Sequence, residues 1–309
     1  MNSMVITGAT SSLGVALIEE CIRNNVKVLA LVRPGSANLD RIPKSDLVLV
    51  AECALSDLSD FAAGGGMEQS YDAFMHLAWE SSADASKRNM IRPQLSNVAY
   101  SLDAVDLAER LHCSVFVGAG SQAEYGRCDE VLNEETPVHP DTPYGAAKLC
   151  ACNMTRLACR EKGIRHVWPR ILSSYGPNYL AHTVINYTIT ELLSGRRPSL
   201  TGGEQLWDFI YGDDVARALY LLAEKGRDGE IYVIGSGRSR LLKDYLLTIR
   251  DLIDPTLELG LNEKPYPENA VMHLACDITK IKKEVGFEPA VSFEEGIRRT
   301  IAWDKEHLL

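Results

Sequence analysis

Short apolar runs rich in branched residues alternate, through the first two thirds of the chain, with longer stretches of helical periodicity. The short runs at 4–7, 26–32, 46–50, 73–77, 114–118 and 166–170 predict strands, and the stretches at 13–24, 93–111 and 143–162 predict helices. Such alternation implies right-handed βαβ units and a parallel sheet covered on both faces. After about Ser173 the rhythm breaks. Helical patterns at 183–194, 241–253 and 294–303 mix with turn-rich pieces holding Gly202-Gly203, Pro255, Pro265, Pro267 and Pro289. This portion reads as a smaller, irregular lobe over the strand ends, with 209–220 and the strand 230–234 returning to the main sheet. The expected division is 1–172 with 208–235 for the larger unit, and 173–207 with 236–309 for the lobe. The glycine run at 64–66 is expected to be a loop.

Composition narrows the functions. A chain of 309 residues, 46% hydrophobic and 24% charged, can bury a sizeable core. Its net charge of −10 argues against nucleic acid or an anionic membrane as partner. No run approaches the roughly 18 apolar residues of a membrane span, so a cytoplasmic protein is expected. The eight cysteines are scattered. Cys150 and Cys152 form a C-x-C whose thiols leave a helix on different faces, poor geometry for a metal, and no metal site is expected.

The first strand runs into Thr7-Gly8-Ala9-Thr10-Ser11-Ser12-Leu13-Gly14 and then a helix. Glycines at such a turn let backbone approach a pyrophosphate, and the helix N-terminus offers free N–H groups and partial positive charge. Gly8, Thr10, Ser11, Ser12, Leu13 and Gly14 are the candidate contacts, although a plain tight turn explains two glycines nearly as well. The position inside a βαβ unit favours a dinucleotide site and a Rossmann-type doubly wound α/β fold. Arg33 stands at the end of the second strand, where an acidic residue would bind a ribose diol. A guanidinium suits a 2′-phosphate there, so NADP(H) is favoured, with NAD(H) and a merely solvated arginine left open.

Tyr144 and Lys148 form a Y-x-x-x-K, which on a helix shares one face. A nearby ammonium brings a phenol, with its ordinary pKa of about 10, toward the working range. Ser121 lies just past the predicted strand 114–118, at the carboxyl end of the sheet, where ligands bind in open parallel sheets. Asn97 falls in the preceding long helix. Hydroxyl, phenol and ammonium together suit hydride transfer, with Ser121 stabilising a carbonyl or alkoxide oxygen.

With these residues in register, the chain resembles the extended short-chain dehydrogenase/reductase family, which includes nucleotide-sugar epimerases, 4,6-dehydratases and 4-ketoreductases. The matching pieces are the 7–14 loop, 54–57, His76-Leu77-Ala78-Trp79, Asn97, Ser121 with Tyr125-Gly126, Tyr144, Lys148, Pro169-Arg170 and Tyr175-Gly176-Pro177. Asp208-Phe209-Ile210, Asp213-Asp214-Val215 and Gly286-Phe287-Glu288-Pro289 complete the set. The resemblance implies that Tyr144 is the acid/base and that Lys148 also holds the nicotinamide ribose. It further implies that Asn97 supports a water-linked proton path, that Asp57 contacts adenine, and that Leu77 and Ala78 border the cofactor. A homodimer through helices 97–111 and 144–162 is implied too, with Leu149, Cys152, Leu157 and Cys159 as apolar surface beyond what the sheet requires. Read as isolated residues, Asn97 and Asp57 are more often structural caps than site groups, and the register with the other motifs reverses that preference.

Dehydratases of the family carry an Asp-Glu pair after the catalytic hydroxyl residue. Gln122 and Ala123 stand there instead, so 4,6-dehydration is disfavoured while reduction and epimerisation remain. Trp207 replaces an arginine that grips a diphosphate, Ser173 replaces a frequent Asn, and Arg196, Arg197, Arg238 or Arg240 are the candidate substitutes. Trp79, Glu80, Ser81, Gln122, Ser173 and Trp207 are expected to line a sugar or nucleotide-sugar site, with core packing the alternative for both tryptophans. A non-nucleotide hydroxy/keto substrate and a non-catalytic NAD(P)-sensing regulator are the competing readings; intact Ser121, Tyr144 and Lys148 argue against the regulator.

Overall fold

The computed structural model describes residues 1–62, 70–81, 85–179, 183–268 and 270–307; the glycine run at 64–66 lies outside them. In chain order the strands are β1 (Ser3–Thr7), β2 (Lys27–Val32), β3 (Val48–Glu52), β4 (Ala73–His76), β5 (Val115–Gly118), β6 (Gly120–Ser121) and β7 (Val131–Leu132). They continue with β8 (Arg165–Ile171), β9 (Ser173–Tyr175), β10 (Leu206–Trp207), β11 (Phe209–Tyr211), β12 (Glu230–Ile234), β13 (Arg240–Leu241) and β14 (His273–Cys276). The helices are α1 (Ser12–Arg23), α2 (Ala85–Arg88), α3 (Ile91–Arg110), α4 (Pro143–Lys162), α5 (Val184–Leu193), α6 (Gly212–Lys225), α7 (Leu242–Ile253), α8 (Thr279–Val285) and α9 (Phe293–His307).

The main sheet is parallel and ordered β3-β2-β1-β4-β5-β8-β12, with β6 added beside the end of β8. Chain direction along the sheet reverses at β1, so the carboxyl ends of β1 and β4 open a crevice at the switch point. β1 and β4 are buried at every position because helices cover both faces, which is why those runs lack polar alternation. One core cluster joins α1 and α6 to the sheet through Leu17, Ile18, Val215 and Leu219. The opposite cluster packs Val105, Leu107 and Ala108 of α3 on Val5, Leu29, Phe74 and Phe116. Local signals fix the ends of α4: Thr142 caps it by accepting from Gly145 N at 3.1 Å, Pro143 fills the first turn, and Gly163 closes it with φ 67°.

β12 joins the main sheet as expected, and α6 packs on it. The strand part of 209–220 does not: β11 pairs with β9, and its Phe209 and Tyr211 enter a separate aromatic core with Tyr175, Tyr245 and Phe293. That core, with α5, α7 and α9, supports the lobe above the carboxyl ends of the strands. The rings meet edge-on or tilted, Phe209 and Tyr245 at 5.1 Å and Tyr245 and Phe293 at 4.5 Å.

Candidate active site

The loop after β1 is held by short-range geometry. Gly8 has φ +72°, and a Cβ on it would come within 2.8 Å of the Ala78 backbone nitrogen; a Cβ on Gly14 would collide with the Gly8 carbonyl. Glycine is therefore demanded at both places by backbone approach, and at Gly8 by conformation as well. Ser11 caps α1 by accepting from Gly14 N at 3.0 Å, and Ser12 Oγ donates to the Asn178 carbonyl at 2.6 Å. Thr10, Ser12 and Leu13 are half-buried and Ser11 exposed along the same rim. Ala78 N donates to Thr7 Oγ1 and Leu77 N to the Thr7 carbonyl, tying the β4 exit to this loop. An N-terminal helix turn, two side-chain-free positions and small hydroxyl residues fit a dinucleotide's pyrophosphate. Arg33 is exposed at the end of β2, with no ion pair among the described residues. Asp57 is exposed in a turn of 3₁₀ helix, accepting from Ser56 Oγ at 2.8 Å.

At the far side of the crevice, β6 places Ser121 beside β8, and α4 brings Tyr144 under it. The Ser121 side chain lies close enough to the Tyr144 hydroxyl to lower its pKa, while its Oγ accepts from Ala123 N at 3.2 Å. Tyr144 is half-buried. Burial pushes the phenol above its ordinary range; the Arg88 cation and the Ser121 side chain oppose that push, and the Glu124 charge adds to it.

Lys148 shares the face of Tyr144, yet its ammonium goes elsewhere. Nζ donates to the Ala119 carbonyl at 2.7 Å and sits 3.6 Å from the centre of the Trp79 ring, but 5.9 Å from that of Tyr144. Burial lowers its pKa to about 7, the Glu124 charge resists, and Arg88 adds to the lowering. Trp79, expected at the substrate, is only 9% exposed: its ring meets Tyr144 edge-on at 6.1 Å and Nε1 donates to Gln94 Oε1 at 2.8 Å. It is a wall behind the two catalytic candidates, because its large ring fills the space between α3 and α4.

Asn97 also differs from its expected role. Its amide donates to the Glu80 and Pro93 carbonyls, and its Oδ1 accepts from Glu80 N at 2.7 Å. Two of these three bonds hold the chain at exposed Glu80, beside Ser81 with φ 62°, and the third returns to its own helix. Gln122 is half-buried, immediately after Ser121.

Two groups that sequence reasoning missed support this site. Glu124, fully buried, accepts from Ser121 N at 2.8 Å, Trp168 Nε1 at 3.0 Å and Arg170 Nε at 2.8 Å. With the Ser121 hydroxyl accepting from Ala123 N, this is a reciprocal cap that fixes Ser121. The Ser-x-x-Glu spacing was the available signal. The other is Arg88, whose guanidinium lies 4.1 Å from the centre of the Tyr144 ring; no spacing marked it.

Beyond the catalytic candidates, a cavity of about 620 Å³ opens in the lobe. Ser173 and Trp207 line it together, Trp207 Nε1 donating to Ser173 Oγ at 2.9 Å, with Tyr187, Phe209 and Leu242 as further walls. Trp79, Glu80, Ser81 and Gln122 are not among its lining residues. Nor are the arginines expected to replace the family's phosphate grip. Arg196 pairs with Glu191, Arg197 with Glu263, and Arg240 with Glu294. Lys264 is the cation among the lining residues, 4.9 Å above the Tyr187 ring.

The strand order, the glycine loop and the crevice at the switch point define a Rossmann-type dinucleotide-binding protein. Residues 4–235 match the model of the NAD dependent epimerase/dehydratase family, and the chain is an enzyme belonging to that family. It is 27% identical over 341 residues to an Escherichia coli dTDP-glucose 4,6-dehydratase, covering 97% of this chain and 92% of the relative. A Streptomyces griseus dTDP-glucose 4,6-dehydratase is 29% identical, covering 81% and 76%. Among solved structures, Thermotoga maritima UDP-glucose 4-epimerase with UDP-glucose superposes with a TM-score of 0.86 at 25% identity, over 99% of this chain and 100% of the other. The Streptomyces venezuelae dTDP-glucose 4,6-dehydratase with NAD bound gives 0.84 at 24% identity, over 99% and 97%. Relatives of both reaction types thus share the fold. The curated ones bear the name of the reaction that Gln122 and Ala123 argue against.

Proposed function

We propose that the protein is an NAD(P)-dependent oxidoreductase that reduces or epimerises the 4-position of a nucleotide sugar, with Ser121, Tyr144 and Lys148 as its working groups. The observation that carries this reading is the convergence of β6, bearing Ser121, with α4, bearing Tyr144 and Lys148, at the carboxyl ends of the strands. Ser121 holds the substrate oxygen, Tyr144 exchanges a proton with it, and Lys148, one turn on, supplies a cation on the same helix face, held by the Ala119 carbonyl and the Trp79 ring. The dinucleotide, when bound, supplies or accepts the hydride. Gly8, Gly14 and the N-terminus of α1 hold its pyrophosphate. Relatives solved with NAD support that form, whereas exposed Arg33 supports the 2′-phosphorylated one. The far end of the substrate occupies the cavity lined by Ser173 and Trp207. Asn97 acts by holding the β4 exit loop.

Dehydration is disfavoured because the carboxylate nearest Ser121, Glu124, already accepts three hydrogen bonds from buried donors and has no role left as a proton donor. Assay with a dTDP-4-keto-6-deoxy sugar, UDP-glucose and dTDP-glucose tests the reading. Reduced-cofactor consumption or epimer formation is expected, and Tyr144→Phe should lower it at least about a hundredfold with cofactor binding retained. Efficient 4,6-dehydration of dTDP-glucose would overturn the reaction assignment. Full activity in Tyr144→Phe would overturn the site.

A further inference from the structure

We propose that Trp79 is a positioning residue for Lys148, its indole face being the seat that holds the ammonium one helical turn from Tyr144. The inference deepens the reading of Lys148 as a working group and rests on it.

The geometry is that of a dry cation on an aromatic face. Lys148 Nζ lies 3.6 Å from the centre of the Trp79 ring, and Trp79, Lys148 and Gln94 are 9%, 4% and 1% exposed. An ammonium carries only donors, so burial leaves it in need of partners. The Ala119 carbonyl takes one N–H at 2.7 Å, and the negative face of the indole adds attraction where water is excluded. The ring is itself fixed. Its Nε1 donates to Gln94 Oε1 at 2.8 Å, and Tyr144 meets it at 84° with 6.1 Å between centres. Ala147 and Ala151, before and after Lys148 on α4, belong to the same buried cluster, and side chains this small leave room for an indole. A flexible four-carbon stem reaches several endpoints, and a fixed ring face selects one. The charged and titratable groups around the ammonium are Glu124 from the turn after β6, Arg88 from α2, His76 from β4 and Tyr144 on its own helix. Glu124 is committed to Arg170 at 2.8 Å, and burial keeps His76 neutral. Burial, with Arg88, lowers the Lys148 pKa to about 7 while Glu124 resists. The indole is thus an uncharged means of keeping Lys148 in place and protonated near neutrality.

The test uses the full-length protein with NAD bound and ¹³C-labelled lysine, the resonance missing from Lys148→Met marking residue 148. Mono-, di- or trifluorotryptophan replaces Trp79 by codon suppression, because fluorine withdraws density from the ring face and nearly preserves its shape. The Lys148 titration midpoint should fall stepwise along the series, by about one pH unit in total, the worth of a desolvated cation–π contact. From a midpoint of about 7, the protonated fraction at pH 7, and kcat with it, should then drop about fivefold, with KM within about twofold of the parent. A midpoint that stays fixed across the series would overturn the inference, and so would one that moves while kcat at pH 7 does not. The titration needs no turnover, so an immobile midpoint leaves the proposed function standing; only activity surviving in Tyr144→Phe undoes that function.

Discussion

Glu124 offers the sharpest test of how the site is held. It is fully buried and its partner Arg170 is 3% exposed in its side chain, so water screens their 2.8 Å contact little. Glu124→Ala leaves the guanidinium buried without its anion, a loss of about 3–5 kcal/mol in comparable pairs. The Ser121 N–H and the Trp168 Nε1–H lose an acceptor as well, and each unsatisfied buried donor costs about 1–3 kcal/mol. These losses overlap, because the space left by the side chain admits water. A total of about 4 kcal/mol is expected, a large share of a typical 5–15 kcal/mol stability. Urea unfolding followed by far-ultraviolet circular dichroism should show a lower midpoint at unchanged slope. Glu124→Gln keeps one neutral acceptor and should lose about half as much. A loss below about 1 kcal/mol in Glu124→Ala would refute the view that this carboxylate organises the strand end carrying Ser121.

Arg33→Asp should move cofactor preference from NADP(H) toward NAD(H) in fluorescence titrations, since it exchanges a phosphate partner for a diol partner; an unchanged ratio would make Arg33 a surface residue. Sedimentation should give about twice the 34.1 kDa chain mass. Of the apolar residues expected on the dimer surface Leu157 is exposed and Leu149 half-buried, whereas Cys152 and Cys159 are buried within the chain; Met90, Ile91, Leu95 and Met154 are exposed as well. A monomer at micromolar concentration would exclude the dimer. Burial lowers the pKa of His76 to about 3, Lys148 adding to it, and that of His166 to about 4, with Arg156 adding and Asp228 opposing. Both imidazoles stay neutral in the fold while an unfolded chain takes up protons below about 6.5. The stability they contribute is therefore complete above that pH and lost as pH falls toward 4 and 3, by about 2 kcal/mol each at pH 5. Nitrogen chemical shifts should show both rings neutral at pH 5, and titration of either near 6.5 would refute this.

The sequence by itself determined the elements whose reasons are local. The strands of the main sheet follow from apolar runs, α4 from Thr142, Pro143 and Gly163, and the loop after β1 from Gly8 and Gly14. The right-handedness of βαβ connections restricts their order without fixing it, and the Y-x-x-x-K puts Tyr144 and Lys148 on one face. Which way the lysine then turns was decided only by the tertiary structure. A four-carbon stem reaches several partners, and the choice fell to Ala119 and Trp79, which arrive from β5 and β4. The hydrogen bonds of Asn97 to Glu80 and of Trp79 to Gln94, which tie the β4 exit to α3, were likewise decided by tertiary packing. Glu124 and Arg88 matter through partners 46 and 56 positions away, Arg170 and Tyr144, and no periodicity encodes such distances. Local spacing fixes direction along an element, whereas the charge and volume that surround a side chain come from every element packed against it.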